Sequence, residues 1–279
     1  MQRTLIRLLR FTPIPLVYGV MGLVIPFYML FDRKGFRASW RFFRQRIGYG
    51  PLRAFFSVYA NEFRLGQVVI DRFALYAGRR YDLQIEHYER FKSLTEAPSG
   101  FVQVSSHVGN YELAGYSLRV ENKKMFALVL PGETRTVMAQ RSAIFGRMNI
   151  EMVPVSDDMS HLFALNAALL DGHIVSMPGD RIFGSQKSYS CGFLDAPARF
   201  PAGPFLLAAQ REVPMLAVFV MKESVRRYRI FIERIEAASG AALPARERAA
   251  QLAAEFAAQL ERIVRRYPTQ WYNFYDFWK

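Results

Sequence analysis

Residues 101–112 read FVQVSSHVGNYE, and this stretch decides the fold. Its first four residues form an apolar run that is typical of a buried strand. Two serines, His107 and Gly109 follow the run, and Asn110 opens a helix that carries Glu112. A histidine and a carboxylate therefore lie at a strand-to-helix corner, which is where α/β proteins commonly place their chemistry.

The same alternation of strand and helix continues on both sides of this corner. Apolar or alternating runs predict strands, and apolar side chains three or four residues apart predict helices. Together they predict an α/β fold with a mixed, mostly parallel sheet and helices on both faces, plus an N-terminal membrane-associated helical segment. The predicted strands are 81–86, 100–105, 125–130, 152–155, 173–177, 213–221 and 227–235, and the helical stretches are 36–80, 110–119, 134–147, 160–170, 204–211 and 245–266.

The N-terminal segment contains an uncharged run from Phe11 to Phe31. As a helix this run could cross about 30 Å of hydrocarbon. Pro26 lies well inside it and would kink or break a helix, so a bent span and an in-plane segment both remain open. A buried core helix of a soluble protein is the third alternative. We therefore divide the chain into a membrane anchor or interfacial segment, residues 1–34, and one catalytic domain, residues 35–279.

The charge of the chain is concentrated beside this apolar segment. The net charge is +13, and residues 1–66 hold eleven of the 37 Lys and Arg residues against two Asp and Glu. An anionic membrane surface accounts for basic and apolar residues together better than nucleic acid does, and no nucleic-acid-binding motif is present. The basic cluster after the apolar run also predicts an uncleaved anchor with the main domain on the cytoplasmic side.

The spacing of His107 and Glu112 suits acid–base chemistry. Gly109 gives the backbone freedom to turn, and Asn110 is a plausible N-cap for the helix. Glu112, in the first turn, could then reach back to one imidazole nitrogen and leave the other free to take a proton from a hydroxyl or an amine. The alternative is that His107 is a satisfied histidine at a strand end and Glu112 only complements the helix dipole.

Other chemistries lack their sequence support. The chain has no Gly-x-Ser-x-Gly elbow, no His-Glu-x-x-His motif, no P-loop and no Gly-x-Gly-x-x-Gly motif. The four histidines are irregularly spaced, so no metal site is expected. Cys191 is the single cysteine, which excludes an intrachain disulfide and a cysteine metal cluster.

Several blocks of the sequence resemble one known family. The segment Ser106–Glu112 resembles the His-x4-Asp/Glu motif of glycerolipid-type acyltransferases, in the form found in the late (lauroyl/myristoyl-type) acyltransferases of bacterial lipid A biosynthesis. Residues 178–184, PGDRIFG, are similar to the second block of that family, and residues 193–204 with 213–215 are similar to the loop, helix and strand that follow it. Residues 268–274, PTQWYNF, resemble the C-terminal block of that family, so the resemblance covers essentially the whole chain.

The resemblance implies a glycerolipid-acyltransferase-like fold and a specific reaction. A fatty acyl chain would pass from an acyl carrier protein or coenzyme A thioester to a hydroxyl of a lipid acceptor, with a lipid A precursor as the expected acceptor. His107 would be the general base and Glu112 its partner, and no cofactor is implied beyond the thioester co-substrate. The enzyme would act on the cytoplasmic side of the inner membrane. The expected substrate-binding residues are Asn110, Arg147, Asp180 and Arg181.

Two departures from the family pattern bear on this reading. Where many relatives have an arginine, residues 155–158 read VSDD, so Arg141, Arg147 or Arg181 would have to supply the cation. Residues 273–278 also lack the usual basic cluster after the tryptophan, which bears on the acceptor. The alternatives are the same acyl transfer to an amino-acid lipid or polyene pigment headgroup, a thioesterase-like hydrolase, and a non-catalytic lipid-binding membrane protein.

Overall fold

A computed structural model describes residues 9–118, 120–129, 135–156, 158–182, 187–238 and 243–278. Its N-terminal part is helical. Helix α1 (Ile14–Phe31) is followed by α2 (Arg33–Arg41), a π-helical turn (Phe42–Arg46) and the long helix α3 (Pro51–Tyr76). Helices α1 and α3 pack antiparallel, because Tyr18 of α1 contacts Asp71 whereas Gly22, further along α1, contacts the earlier residue Tyr59 of α3.

A seven-stranded sheet forms the centre of the described structure. Its strands are β1 (Asp82–Glu86), β2 (Phe101–Ser105), β3 (Met125–Val129), β4 (Ile150–Pro154), β5 (Ile174–Pro178), β8 (Met215–Lys222) and β9 (Arg227–Ile235). The strand order is β1-β9-β8-β2-β5-β3-β4, and only β8 and β9 pair antiparallel within it. The fold is therefore α/β with a mostly parallel, mixed sheet, as predicted.

Helices cover both faces of this sheet. The side chains of β8 are all buried, because helices cover both faces of the sheet. Successive residues of β8 point to opposite faces and pack into two hydrophobic clusters, one on each face. One face packs against α4 (Tyr88–Glu96), α5 (Tyr111–Ser117) and α6 (Arg135–Gly146), and the other packs against α7 (Ser160–Leu170), α8 (Gly203–Arg211) and α9 (Ala245–Arg266).

Two elements were missing from the sequence prediction. No helix is predicted for the residues of α4. No strand is predicted for the hairpin of β6 (Ser188–Phe193) and β7 (Ala196–Pro201), and β7 lies in the block 193–204 that resembles the loop and helix of the family. Leu194 and Asp195 form the hairpin turn, both with positive φ of 51° and 61°. Such a two-residue turn usually contains glycine, asparagine or aspartate, so the leucine concealed it.

The proline inside α1 does not break the helix. Helix α1 is continuous from Ile14 to Phe31, although Pro26 has no N–H to donate to the carbonyl of Gly22. The Tyr59 hydroxyl on α3 donates to that carbonyl instead, with an O···O distance of 3.1 Å. The neighbouring helix therefore satisfies the group that the proline leaves unpaired.

Helix α1 is also fixed to the domain at its start. The Arg79 guanidinium donates to the carbonyls of Leu9 and Thr12 at 2.8 and 2.6 Å, and the buried Tyr18 hydroxyl donates to Asp71 on α3. Only Ile14, Tyr18 and Ile25 of α1 are buried. The helix is long and apolar enough to cross a membrane, but it is attached to α3 along one side.

Candidate active site

The strand-to-helix corner holds a histidine–carboxylate pair. Strands β2 and β5 are parallel neighbours, with Ser105 in register with Pro178, so the residues two positions further along each strand meet at the same edge of the sheet. The Nδ1 atom of His107 lies 2.8 Å from Oδ1 of Asp180, and the backbone N–H of His107 donates to Oδ2 at 2.7 Å. The carboxylate thus fixes both the ring and the backbone of His107.

The environment of Asp180 keeps its carboxylate charged. Asp180 is 1% exposed, and burial alone would raise its pKa. The charge and the two hydrogen bonds of His107, together with Arg181, outweigh burial and hold the pKa of Asp180 below its ordinary value. With Nδ1 committed to Asp180, Nε2 is the imidazole nitrogen available to a substrate.

Gly109 makes the corner possible. Its φ is +55°, and a Cβ atom on it would lie 1.9 Å from the carbonyl oxygen of Val220. That close approach lets the next N–H, of Asn110, donate to the same carbonyl at 2.7 Å. Asn110 occupies the N-cap position, as predicted, but its side chain makes no capping bond and lies 3.4 Å from the hydroxyl of Tyr228.

The C-terminal segment supports the corner from the other side. The N–H of Gly109 donates to the carbonyl of Gln270 at 2.8 Å, and the N–H of Tyr272 donates to the carbonyl of His107 at 2.9 Å. The side-chain amide of Gln270 accepts from the backbone N–H of Lys222 and donates to its carbonyl. The neighbouring Trp271 is 2% exposed. The Pro-x-Gln-Trp ending therefore fixes the backbone that carries the histidine.

Glu112 does not serve His107 in this structure. It is 5% exposed, and its carboxylate pairs with Arg72 at 2.9 Å and Arg141 at 3.0 Å and accepts from the Tyr76 hydroxyl at 3.2 Å. The ring of Tyr111 packs against the imidazole, with centroids 5.6 Å apart, and Asp180 occupies Nδ1. The expected Glu112–His107 contact is therefore replaced by a contact from a residue 73 positions away.

A cavity of about 340 Å³ opens beside His107. It lies between the sheet and helices α5 and α6. The lining near the histidine is polar and includes Ser105, Ser106, Glu112 and Arg141, whereas the far end is apolar. A pocket of this kind suits a ligand with a reactive polar end and a hydrocarbon chain. The apolar lining consists mainly of Met125, Ala127, Leu128, Val129, Phe145 and Ile150.

The predicted substrate-binding residues lie in different places. Asp180 bonds His107 directly, and Arg181 donates to the carbonyl of Tyr272 and packs over the ring of Tyr275. Asn110 is fully buried behind the corner, and Arg147 is exposed after the end of α6; neither lines the cavity.

Sequence reasoning also missed parts of the site. Arg72 lies in the predicted helical stretch 36–80, and no local pattern links it to Glu112. Among the three arginines considered for the family cation, Arg141 is the one that contacts Glu112 and lines the cavity.

Comparison with known families identifies the family of the chain. A family model for the bacterial lipid A biosynthesis acyltransferase matches residues 71–279, which is most of the chain and includes His107, Glu112 and Asp180. No curated protein matches the chain with significant similarity. The resemblance found in the sequence is thereby confirmed. The chain belongs to the bacterial lipid A biosynthesis acyltransferase family, and it is an acyltransferase.

Proposed function

We propose that this enzyme transfers a fatty acyl chain from a thioester to a hydroxyl group of a lipid A precursor, with His107 as the general base. One observation carries the proposal. An imidazole held through Nδ1 by a buried carboxylate stands at the mouth of a cavity with an apolar far end. That arrangement suits a reaction in which a hydroxyl meets the activated end of a hydrocarbon chain.

The chemistry needs no nucleophile from the protein. Nε2 of His107 takes the proton of the acceptor hydroxyl, and the oxygen attacks the thioester carbonyl. The C–O bond forms, the C–S bond breaks, and the proton on the imidazole passes to the leaving thiolate. Asp180 holds the ring in one tautomer and stabilises the imidazolium that forms.

Glu112 acts through arginine in this mechanism rather than through His107. Its carboxylate pairs with Arg141, whose side chain is 13% exposed and lines the cavity. A guanidinium fixed there would meet the negative charge that develops on the carbonyl oxygen during attack. Arg72 pairs with the other carboxylate oxygen, so Glu112 is a positioning residue for the cationic side of the site.

The donor and acceptor are inferred from charge and family. Exposed arginines on α2 and the π-helical turn, among them Arg37, Arg41 and Arg44, suit an acidic donor such as acyl carrier protein, with acyl coenzyme A as the other candidate. The family match supports a lipid A precursor as acceptor.

The same N-terminal region would bring the site to an anionic membrane, on the cytoplasmic side of the inner membrane. Exposed apolar side chains of α1 and the start of α3 form one surface, here named the apolar face, and Arg33, Lys34, Arg37 and Arg53 are exposed beside it. Basic residues next to an apolar surface suit lipid headgroups. The apolar face consists of Leu16, Val20, Leu23, Val24, Phe27, Leu30, Phe31, Leu52, Phe55 and Phe56.

We infer that α1 lies partly inserted in one leaflet rather than crossing the bilayer. Helix α3 runs beside α1 and carries Glu62, Arg64 and Asp71. If α1 crossed the membrane while packed on α3, these charged residues would enter the hydrocarbon, which is costly.

The reaction is tested with purified enzyme, a mixed pool of acyl thioesters and a lipid A precursor, with products identified by mass spectrometry. The expected product carries one additional ester-linked chain, and His107→Ala should reduce turnover about a hundredfold to ten-thousandfold. Near-normal turnover of His107→Ala contradicts the assignment. Parallel reactions offer an amino-acid lipid or a polyene pigment as the acceptor, and transfer only to one of these contradicts the proposed acceptor. Free fatty acid without an ester product indicates a hydrolase.

Membrane attachment is tested by sedimentation with anionic phosphatidylglycerol vesicles. The double variant Phe27→Ser/Phe31→Ser should bind more than about tenfold more weakly, because two aromatic side chains no longer enter the lipid. Leu170→Ser is the matched control, since Leu170 is 66% exposed on α7, outside the apolar face. Equal binding of all three proteins contradicts the proposed surface.

A further inference from the structure

The floor of the cavity carries two neighbouring polar side chains, Gln103 and Ser176, in its middle. Parallel pairing aligns Gln103 with Ser176 and Ser176 with Ala127, and all three line the cavity. The row nearer the strand starts is apolar, with Phe101 aligned to Ile174 and Ile174 to Met125. A pocket for an unsubstituted hydrocarbon chain has no need of an amide at this depth.

The side chain of Gln103 has no partner in the described structure. It is 3% exposed, and its buried Oε1 atom has no hydrogen-bond partner. Ser106, which also lines the cavity, is 2% exposed and its Oγ is likewise unpartnered. Leaving a buried polar group unpaired is unfavourable, so such groups in a pocket wall indicate a ligand that pairs with them.

We propose that the cavity is built for a hydroxylated acyl chain on the donor, and that the Gln103 carboxamide hydrogen-bonds the hydroxyl of that chain. The inference rests on the proposed function, because it identifies the cavity as the acyl site. The amide oxygen accepts a hydrogen bond from the chain hydroxyl. The amide N–H groups and the Ser106 hydroxyl can donate hydrogen bonds to the oxygen of that hydroxyl. The chain hydroxyl is recognised and does not react.

The geometry locates the hydroxyl near the thioester end of the chain. Gln103 precedes Ser105 by two residues on β2, so its Cα lies about 7 Å below the strand end that leads to His107. With the thioester carbonyl beside His107, the carboxamide faces the first part of the chain. The apolar end, lined by Met125, Phe145 and Ile150, receives the remainder.

The test compares two donors of equal chain length, a 3-hydroxyacyl and an unsubstituted acyl thioester, in direct competition. The wild-type enzyme should favour the hydroxylated donor in kcat/KM by about tenfold or more, because only that donor pairs the buried amide. Gln103→Met, which keeps the length of the side chain, should abolish or reverse this ratio. Met125→Leu in the apolar lining is the matched control and should affect both donors alike.

The ratio of the two donors separates this proposal from the proposed function. Transfer from both donors with no wild-type preference, or with an unchanged ratio in Gln103→Met, overturns the hydroxyl inference and leaves the acyltransferase assignment intact. No transfer from either donor overturns the proposed function itself. If Gln103→Met is poorly folded by thermal melting, the wild-type ratio alone decides. A parallel assay compares acceptors with and without a hydroxyl-bearing chain. If the wild type discriminates only between these acceptors and not between the donors, Gln103 binds the acceptor and the inference is wrong.

Discussion

Two buried aspartates, Asp180 and Asp71, are each surrounded by hydrogen-bond donors, but the two networks differ in their access to solvent. Asp180 receives the ring and the backbone N–H of His107. Asp71 pairs with the ammonium group of Lys222 and accepts hydrogen bonds from the hydroxyls of three tyrosines. The two networks differ in access, because the His107 side chain is 22% exposed at a cavity whereas that of Lys222 is 0% exposed. The tyrosines are Tyr18, Tyr81 and Tyr228.

In the proposed mechanism, this difference in access separates a reactive pair from a structural one. The Asp180 network leaves one imidazole nitrogen available for chemistry, whereas the Asp71 network is closed on all sides. The Asp71 cluster joins α1 to α3, β8 and β9, and its Tyr228 member contacts Asn110 behind the active-site corner. Under the proposed mechanism, a buried aspartate with a cationic partner thus serves catalysis at an open edge of the sheet, and a second one serves assembly in the core.

The largest expected effect is on the open network. Asp180→Asn keeps the size of the side chain but removes the charge that stabilises the imidazolium, so kcat should fall about a hundredfold or more. The thermal midpoint should change little, since the amide oxygen can still accept from the backbone N–H of His107 while the amide N–H donates to Nδ1 of the other imidazole tautomer. The measurement is steady-state acyl transfer alongside thermal melting. Normal kcat in a folded Asp180→Asn protein would show that the pair is structural.

The sealed network should respond in stability instead. Lys222→Met leaves the Asp71 charge buried without its cation, and the free energy of unfolding should fall by about 3–5 kcal/mol. Urea denaturation measures this loss. Lys124→Met is the control, because Lys124 and Glu151 form an exposed pair whose removal should cost less than about 1 kcal/mol. Equal effects of the two substitutions would mean that Asp71 and Lys222 contribute no more than a surface pair.

Glu112 lies between these two cases, since it is buried but positions a cavity-lining arginine. Glu112→Gln should lower kcat about tenfold to a hundredfold by weakening the charge-assisted bonds that hold Arg141 and Arg72. It should also lower the thermal midpoint, which Asp180→Asn does not. Steady-state kinetics and thermal melting of the same preparation measure the changes in kcat and in the thermal midpoint. A Glu112→Gln enzyme with unchanged kcat would exclude a positioning role.

The smallest expected effect concerns pH and the attachment of α1. Burial, and then the nearby Asp32, raise the pKa of Glu62 on α3 from 4.5 to about 7. Between these values the folded chain holds a proton that the unfolded chain releases, so this group makes stability fall as pH rises from about 4.5 to 7. Glu62→Gln should be more stable than the wild type at pH 8, with the difference shrinking toward pH 5. Urea denaturation at both values measures this difference, and a pH-independent one contradicts the shift.

The sequence was sufficient for the seven strands of the large sheet and for the corner itself. Apolar periodicity located all seven strands of the large sheet to within a few residues, because period-two and period-3.6 patterns are local. His107, Gly109 and Asn110 marked the corner, and the ordered motif blocks indicated the family that the comparison confirmed. The β6–β7 hairpin escaped because its turn residues, Leu194 and Asp195, include a leucine at positive φ.

What the sequence by itself determined is which residues form β2 and where the chemistry lies along the chain. Only the tertiary structure decided which acid serves His107, and it is Asp180 rather than the neighbouring Glu112. The physical reason is register. Parallel pairing of β2 with β5 brings two strand ends 73 residues apart to the same edge, and no local pattern encodes that pairing. The packing of α1 on α3, which satisfies the Gly22 carbonyl opposite Pro26, was decided in the same way.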